Sequence, residues 1–177
     1  MNTESRLKVE MAVRVRNFLR ANPFGEPKAD AVVAKFEERV NRAQALLTQQ
    51  EDGILTARSS RVKRAEVRSR VRSEPLRHLT EITKAVALEK PEVATMFRQL
   101  VKSPNEQQFR AGAEAFLARA TEHRELFSQY GMRDALIDEL KSLLAAYDQA
   151  VSDADAGRRA HTGARVELKS LASELVK

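Results

Sequence analysis

The sequence has no cysteine and no tryptophan, and its 177 residues include only six glycines and five prolines. Without cysteine, the chain forms neither a disulfide framework nor a thiolate metal site. Scarce glycine and proline leave few interruptions for helices, and the abundant alanine, leucine, glutamate, arginine and lysine residues favour helix. No segment shows a convincing strand pattern. The composition therefore predicts an all-α protein.

Long apolar runs are also missing. No stretch has the length and hydropathy of a membrane span or of the apolar core of a signal peptide. We therefore expect a cytoplasmic protein that makes no membrane contact. A chain of this length suits one folding unit, so residues 1–177 are predicted to form a single domain.

Most motifs that carry chemistry are absent as well. The sequence contains no phosphate-binding glycine loop, nucleophile elbow or zinc-ligand spacing. A ferritin-like metal centre needs Glu-x-x-His motifs, and none occurs. His123 and His161 lie at positions where apolar residues recur at helical spacing. Each is therefore expected to form a hydrogen bond with a neighbouring group. His78 lies near Glu74 and Glu81, a pattern typical of a surface ion-pair cluster. We therefore expect no enzyme activity, no catalytic or metal-binding residue, no cofactor and no small-molecule substrate.

The most regular feature is a heptad seam in the last quarter of the chain, of the kind found in coiled coils. Its members recur in alternating steps of three and four residues: Leu140, Leu143, Tyr147, Ala150, Ala154, Gly157, His161, Ala164, Leu168, Leu171 and Leu175. This spacing predicts one long helix that packs at a shallow angle on other helices. The middle of the seam is built from small residues, so a neighbouring helix is expected to approach closely there, at a narrow waist between two cores.

The N-terminal segment predicts a short amphipathic helix from Thr3 to Ala21. Its expected core face consists of Leu7, Met11, Val15, Phe18 and Leu19. Asn22 precedes Pro23 and is thereby biased out of the helical region, which ends the helix. In the linker that follows, Phe24 is expected to pack back onto the core.

A second helix is predicted over residues 28–73. Its seam again alternates steps of three and four and comprises Val33, Phe36, Val40, Ala43, Leu47, Gln50, Ile54 and Ala57. Gly53 lies inside this pattern and suggests a bend, since glycine costs about 1 kcal/mol relative to alanine in a helix. Beyond Arg58 the apolar residues no longer share one face, which predicts weak packing there.

Two shorter helical segments follow. The first, over 75–102, is expected to bend or break at Lys90 and Pro91. The second is predicted to begin at Pro104, because Ser103 and Glu106 have the spacing of a capping box. It is expected to end before Gly131, a residue suited to the left-handed conformation that stops helices. The last helix is predicted to run from about residue 133 nearly to the C-terminus.

These lengths predict an elongated, mostly antiparallel helical bundle. Two long heptad-patterned helices form its axis, a short helical hairpin covers one end as a four-helix section, and the short N-terminal helix covers the other end as a three-helix section. In this arrangement Arg61 lies level with Leu144. Small-angle scattering is expected to show a rod.

Residues 58–77 hold the chain's excess positive charge. This stretch contains eight basic residues and only two acidic ones, Glu66 and Glu74. Its net charge of +6 equals that of the whole chain. The basic residues are Arg58, Arg61, Lys63, Arg64, Arg68, Arg70, Arg72 and Arg77. Helical spacing sorts most of them into two stripes, one with Arg61, Arg64, Arg68 and Arg72 and one with Lys63, Arg70 and Arg77. Such stripes suit phosphates or another polyanion, including nucleic acid.

Residues 134–155 contain six acidic residues and one basic residue, Lys141. This acidic stretch is an alternative, internal partner for the basic residues of 58–77. The basic stretch is therefore either matched within the fold or presented to an external acidic partner. Because the sequence concentrates its regularity in seams, we expect a non-catalytic interaction or scaffold module. Its partner is expected to be another protein or a second copy docking near 58–71, and polyanion binding through 58–77 is the alternative.

Overall fold

A computed structural model describes residues 3–97 and 105–176, which form seven helices and no strand. The helices are α1 (Thr3–Ala21), α2 (Pro27–Ser73), α3 (Pro75–Ala87), α4 (Pro91–Met96), α5 (Glu106–Glu122), α6 (Arg124–Gln129) and α7 (Ala135–Glu174). The predicted all-α class is confirmed, and so are the two long helices, α2 and α7.

The breaks between the short helices follow from local backbone chemistry. Lys90, which precedes Pro91, has a non-helical backbone (φ −132°, ψ 80°), so the predicted interruption separates α3 from α4. The helix predicted for 104–130 is also interrupted, because His123 leaves the helical region (φ −99°, ψ 23°) and separates α5 from α6. Gly131 has a φ of 87° and ends α6 in the left-handed conformation, as predicted.

The start of α5 differs from the sequence prediction. Ser103 and Pro104 lie outside the described residues, and the helix begins two residues later than predicted, at Glu106. The side-chain oxygen of Asn105 accepts a hydrogen bond from the Gln108 N–H at 2.8 Å, and the Gln108 side chain accepts one from the Asn105 N–H at 3.1 Å. Asparagine caps helices as well as serine does, so this second capping box sets the boundary.

The chain divides into two compact units. Unit 1 consists of Met1–Ser59 and Asp153–Lys177, and unit 2 consists of Ser60–Ser152. Unit 1 is the predicted three-helix section, in which α1 packs on the first part of α2 and the last part of α7. Its core contains Val9, Ala43, Leu46, Ala164, Leu168 and Ala172.

Within unit 1, α2 and α7 come into backbone contact at two glycines. A Cβ atom on Gly157 would lie 2.7 Å from the Gly53 carbonyl oxygen and 2.8 Å from the Ala57 nitrogen. The predicted close approach at Gly157 is therefore confirmed. Gly53, predicted only to bend α2, is its counterpart. The predicted register would have placed Ser152 there, so the observed register differs from it by five residues. One turn away, His161 Nδ1 lies 3.3 Å from the Gln50 carbonyl oxygen, so this seam histidine bonds a neighbour as predicted.

Unit 2 contains the last part of α2, helices α3–α6 and the first part of α7. The short helix α3 contacts α4, α5 and α6, which confirms the predicted helical hairpin. Aromatic rings join these elements: Phe97 contacts Phe116 and Phe127 at 5.4 and 5.1 Å between ring centres, and Phe109 contacts Tyr147 at 5.2 Å. The large side chains of unit 2 thus form one aromatic and aliphatic core.

Three predictions about buried side chains were wrong. The last part of α2 packs well, because Ser60, Val67 and Val71 are buried with Arg64 half-buried among them, a row with steps of four, three and four residues. A serine and an arginine at seam positions hid this pattern. In α1 four of the five residues of the predicted core face are exposed and Leu19 is half-buried, whereas Ser5, Val9 and Ala12 are buried. Phe24 is also exposed rather than packed on the core.

Candidate functional site

The eight basic residues of 58–77 are not placed as one surface. Arg58 belongs to unit 1, and the other seven belong to unit 2. Arg77 lies on α3, beyond the break at Glu74, so it does not continue the α2 stripe that holds Lys63 and Arg70. In α2 the two predicted stripes flank the buried row of Ser60, Val67 and Val71, one along each side.

Three of the four arginines in the first stripe pack against α5. The Arg64 guanidinium lies 2.5 Å from a carboxylate oxygen of Glu106. Arg68 and Arg72 lie over the Phe109 ring, with guanidinium carbons 5.1 and 5.7 Å from its centre. Cation–π contacts of this kind stabilise a partly buried arginine. The first stripe is therefore largely used inside unit 2, and only Arg61 of the four is exposed.

The second stripe borders a groove between α2 and α7 within unit 2. Lys63 and Arg70 are exposed and line this groove of about 340 Å³, with Glu66 and Val67 from α2 and Glu139, Ser142, Leu143 and Ala146 from α7. The guanidinium of Arg70 also lies 3.8 Å from the carboxylate of Glu74. Carboxylates of both helices thus share the groove with the two cations, and the groove has mixed charge.

Five of the six acidic residues of 134–155 pair with cations outside the basic stretch. Asp148 accepts three hydrogen bonds from Arg110, two from Nε at 2.8 and 3.1 Å and one from Nη2 at 2.9 Å, and this contact raises the pKa of Arg110. Four further ion pairs are Asp134 with Arg124, Asp138 with Lys141, Glu139 with Arg133 and Asp155 with Arg158. In each of these five pairs the cation lies outside 58–77.

The two glutamates near His78, Glu74 and Glu81, belong to separate surface ion pairs. Glu74 pairs with Arg70, and Glu81 accepts a hydrogen bond of 2.9 Å from Lys84, which lowers the pKa of Glu81. Across residues 3–97 and 105–176, no three histidine, aspartate or glutamate side chains are arranged to hold a metal ion. None of the helices over these same ranges is both long and apolar enough to cross a membrane.

Helix α1 carries a row of exposed apolar side chains. Leu7, Met11, Val15 and Phe18, here called the α1 stripe, are 59%, 46%, 42% and 65% exposed. At 100° per residue, their spacing of four, four and three places all four within an arc of about 80°. Ser5, Val9 and Ala12 lie roughly on the opposite side and are buried. Helix α1 is therefore apolar on two faces, of which one is buried and the other is about half exposed among the described residues.

Polar contacts fix α1 on α2 and so fix the direction in which the stripe points. Arg20 donates to both carboxylate oxygens of Glu37, at 2.6 and 3.0 Å. Arg16 donates to the side-chain oxygens of Asn41 and Gln44, each at 2.8 Å. The hydrogen bond from Arg20 lowers the pKa of Glu37. Sequence periodicity detected the stripe but assigned it to the core. The other apolar row of α1, with Val9 and Ala12, has smaller side chains, so periodicity favoured the stripe as the buried face.

No protein-family model, curated protein or solved structure matches this chain.

Proposed function

We propose that this chain is a non-catalytic protein-interaction module that binds a helix through the α1 stripe. The observation that carries the proposal is the row of four large apolar side chains, 42–65% exposed, on one face of a helix whose other face is packed. Single exposed apolar residues are normal on protein surfaces, whereas contiguous apolar patches mark interaction sites. The stripe is such a row.

The geometry suits helix-on-helix binding. Anchors at positions i, i+4, i+8 and i+11 are those that an amphipathic helix presents to a partner. Fully burying a leucine or phenylalanine side chain stabilises by about 1.5–3 kcal/mol, and Leu7 and Phe18 each retain more than half of their exposure for this purpose. Because Arg16 and Arg20 already anchor α1, little further ordering of the helix is needed on binding.

The test compares capture of host proteins by the immobilised chain and by a stripe variant, Leu7→Glu combined with Phe18→Glu. A matched control, Val62→Glu combined with Val166→Glu, changes two apolar residues that are at least as exposed but lie on other helices. We expect a specific partner to bind wild type and control and to be lost with the stripe variant. The purified partner should then protect the amides of residues 7–18 from hydrogen exchange. Equal capture by all three proteins would contradict the proposal.

A second candidate function is polyanion binding through the basic residues of unit 2 that are exposed: Arg61, Lys63, Arg70 and Arg77. The observation that favours it is that five acidic residues of α7 and its preceding turn, expected to neutralise this stretch, pair with other cations. Contacts of this kind would reach phosphates and read no sequence.

Binding to duplex DNA, RNA and heparin at low salt tests this candidate. For duplex DNA, each neutralised phosphate adds about 0.9 to the slope of log affinity against log salt. Replacing the four exposed cations with glutamine should abolish binding and leave stability unchanged. The matched variant, with Arg64, Arg68 and Arg72 replaced by glutamine, should lose stability, because these residues contact Glu106 and Phe109. Absence of detectable binding to all three polyanions would reject the candidate.

A further inference from the structure

The α1 stripe is complementary to itself about its own midpoint. Leu7 and Phe18 lie at nearly equal distances on either side of a point between Ala12 and Val13, and Met11 and Val15 are centred on nearly the same point. If a second α1 lies antiparallel across this point, Leu7 faces Phe18 of the second copy, and Met11 faces Val15 of the second copy. A two-fold axis repeats each contact, so all four apolar side chains meet apolar partners.

The charges along the stripe share this symmetry. Glu10 and Arg14 are exposed, lie along the same edge of the stripe and are centred on Ala12. In an antiparallel two-fold pair, equivalent edges of the two helices are adjacent, so Glu10 of each copy faces Arg14 of the other. Within one chain Glu10 pairs with Arg6 at 2.7 Å, and Arg14 forms no ion pair with any residue in 3–97 or 105–176. In a parallel two-fold pair, the edge that carries Glu10 and Arg14 would instead face the other edge of the second helix, so these two charges would not meet.

We infer that a second copy of this chain occupies the α1 stripe, with its α1 antiparallel to the first. This inference rests on the proposed function and names the occupant of the same surface. A single pair of short helices is smaller than a standard interface of about 1,600 Å². The homodimer is therefore expected to be weak and to form in the upper part of a concentration series.

Sedimentation equilibrium of the full chain over a concentration series measures the association. Wild type is expected to shift from monomer to dimer. Phe18→Glu replaces a facing aromatic ring with a carboxylate and should weaken the dimer at least about tenfold. Val166→Glu, a similarly exposed apolar position on α7, is the matched control and should leave association unchanged. Circular dichroism of each variant checks that the helices remain folded.

Exchanging the charges tests the antiparallel arrangement itself. Glu10→Arg and Arg14→Glu each bring like charges together twice per dimer, so each alone should weaken association several-fold. An equimolar mixture of the two variants should restore it, because every facing pair in the mixed dimer is then of opposite charge. Non-specific adhesion of the apolar residues would not show this rescue.

Three results would overturn the inference: a wild-type chain that stays monomeric at every concentration, a dimer indifferent to Phe18→Glu, or a mixture without rescue. If the chain stays monomeric while capture of another protein still depends on Leu7 and Phe18, the inference fails and the proposed function stands. If neither self-association nor capture responds to the stripe variants, both fail.

Discussion

At the scale of single residues, the two glycines at the α2 and α7 contact carry the clearest constraint. Gly157→Ala would place its Cβ 2.7 Å from the Gly53 carbonyl oxygen, a backbone atom that cannot move without shifting α2. We expect a loss of about 1–3 kcal/mol in the free energy of unfolding, as for other overpacked sites, and a larger loss for Gly157→Leu. Chemical denaturation measures the change.

Gly163 is the matched control, because it lies six residues further along α7 and a Cβ there has no atom within 4 Å. Gly163→Ala should stabilise the protein by about 0.5–1 kcal/mol, since alanine is the better helix former. An unchanged or higher stability of Gly157→Ala would show that the two backbones are not in contact.

Also at this scale, Asn105 is expected to set the start of α5. Asn105→Ala removes the oxygen that accepts the Gln108 N–H and should cost about 0.5–2 kcal/mol in the free energy of unfolding. Gln107→Ala changes an exposed residue of the same first turn without a capping role and should have little effect. Equal effects of both substitutions would argue against the cap.

At the scale of elements, α1 has two apolar faces, and only one of these two is buried. Val9 is buried in the core of unit 1, and Leu7 is largely exposed. We expect Val9→Ala to cost about 2 kcal/mol in stability, because it leaves a cavity. Leu7→Ala removes a larger side chain but should change stability by less than about 0.5 kcal/mol. Thermal unfolding at low protein concentration, where association is minimal, compares the two. The reverse order would restore the sequence-based assignment of the core face.

Another element-scale feature is the end of α2, where cations take part in packing. Phe109→Leu keeps the site apolar but removes the ring beneath Arg68 and Arg72. We expect a loss of about 1–3 kcal/mol in the free energy of unfolding, because the cation–π contacts and the ring contact with Tyr147 are removed together. In a double-mutant cycle with Arg68→Gln, the effects should be non-additive. Simple additivity would show that the guanidinium and the ring do not interact.

At the scale of the whole molecule, the net charge of +6 is divided between two roles. Arg64, Arg68 and Arg72 contact Glu106 and Phe109 within unit 2. Arg61, Lys63, Arg70 and Arg77 remain exposed. The charge excess therefore identifies a surface only after the internally packed arginines are subtracted. The same holds for apolar content, which supplies the two cores and also the α1 stripe.

The sequence by itself determined the helical class, the extents of α1, α2 and α7 within a few residues, the break at Pro91 and the close approach at Gly157. These follow from local physics: backbone propensity, the restriction that proline imposes on its neighbours, and seven-residue periodicity. They require no knowledge of which helix is the neighbour. The start of α5 was predicted two residues early. Both Ser103 and Asn105 have side chains suited to an N-cap, and residue spacing alone does not show which of them caps the helix.

Only the tertiary structure decided which face of each helix is buried. In α1 the larger apolar row is exposed and the row of Ser5, Val9 and Ala12 is covered, and in α2 the seam passes through Ser60 and Arg64. Burial depends on the total fit of a face to its neighbours, and small residues allow a closer fit than large ones do. Hydropathy measures the tendency of a face to leave water. It does not record whether the rest of the chain has a surface that matches that face.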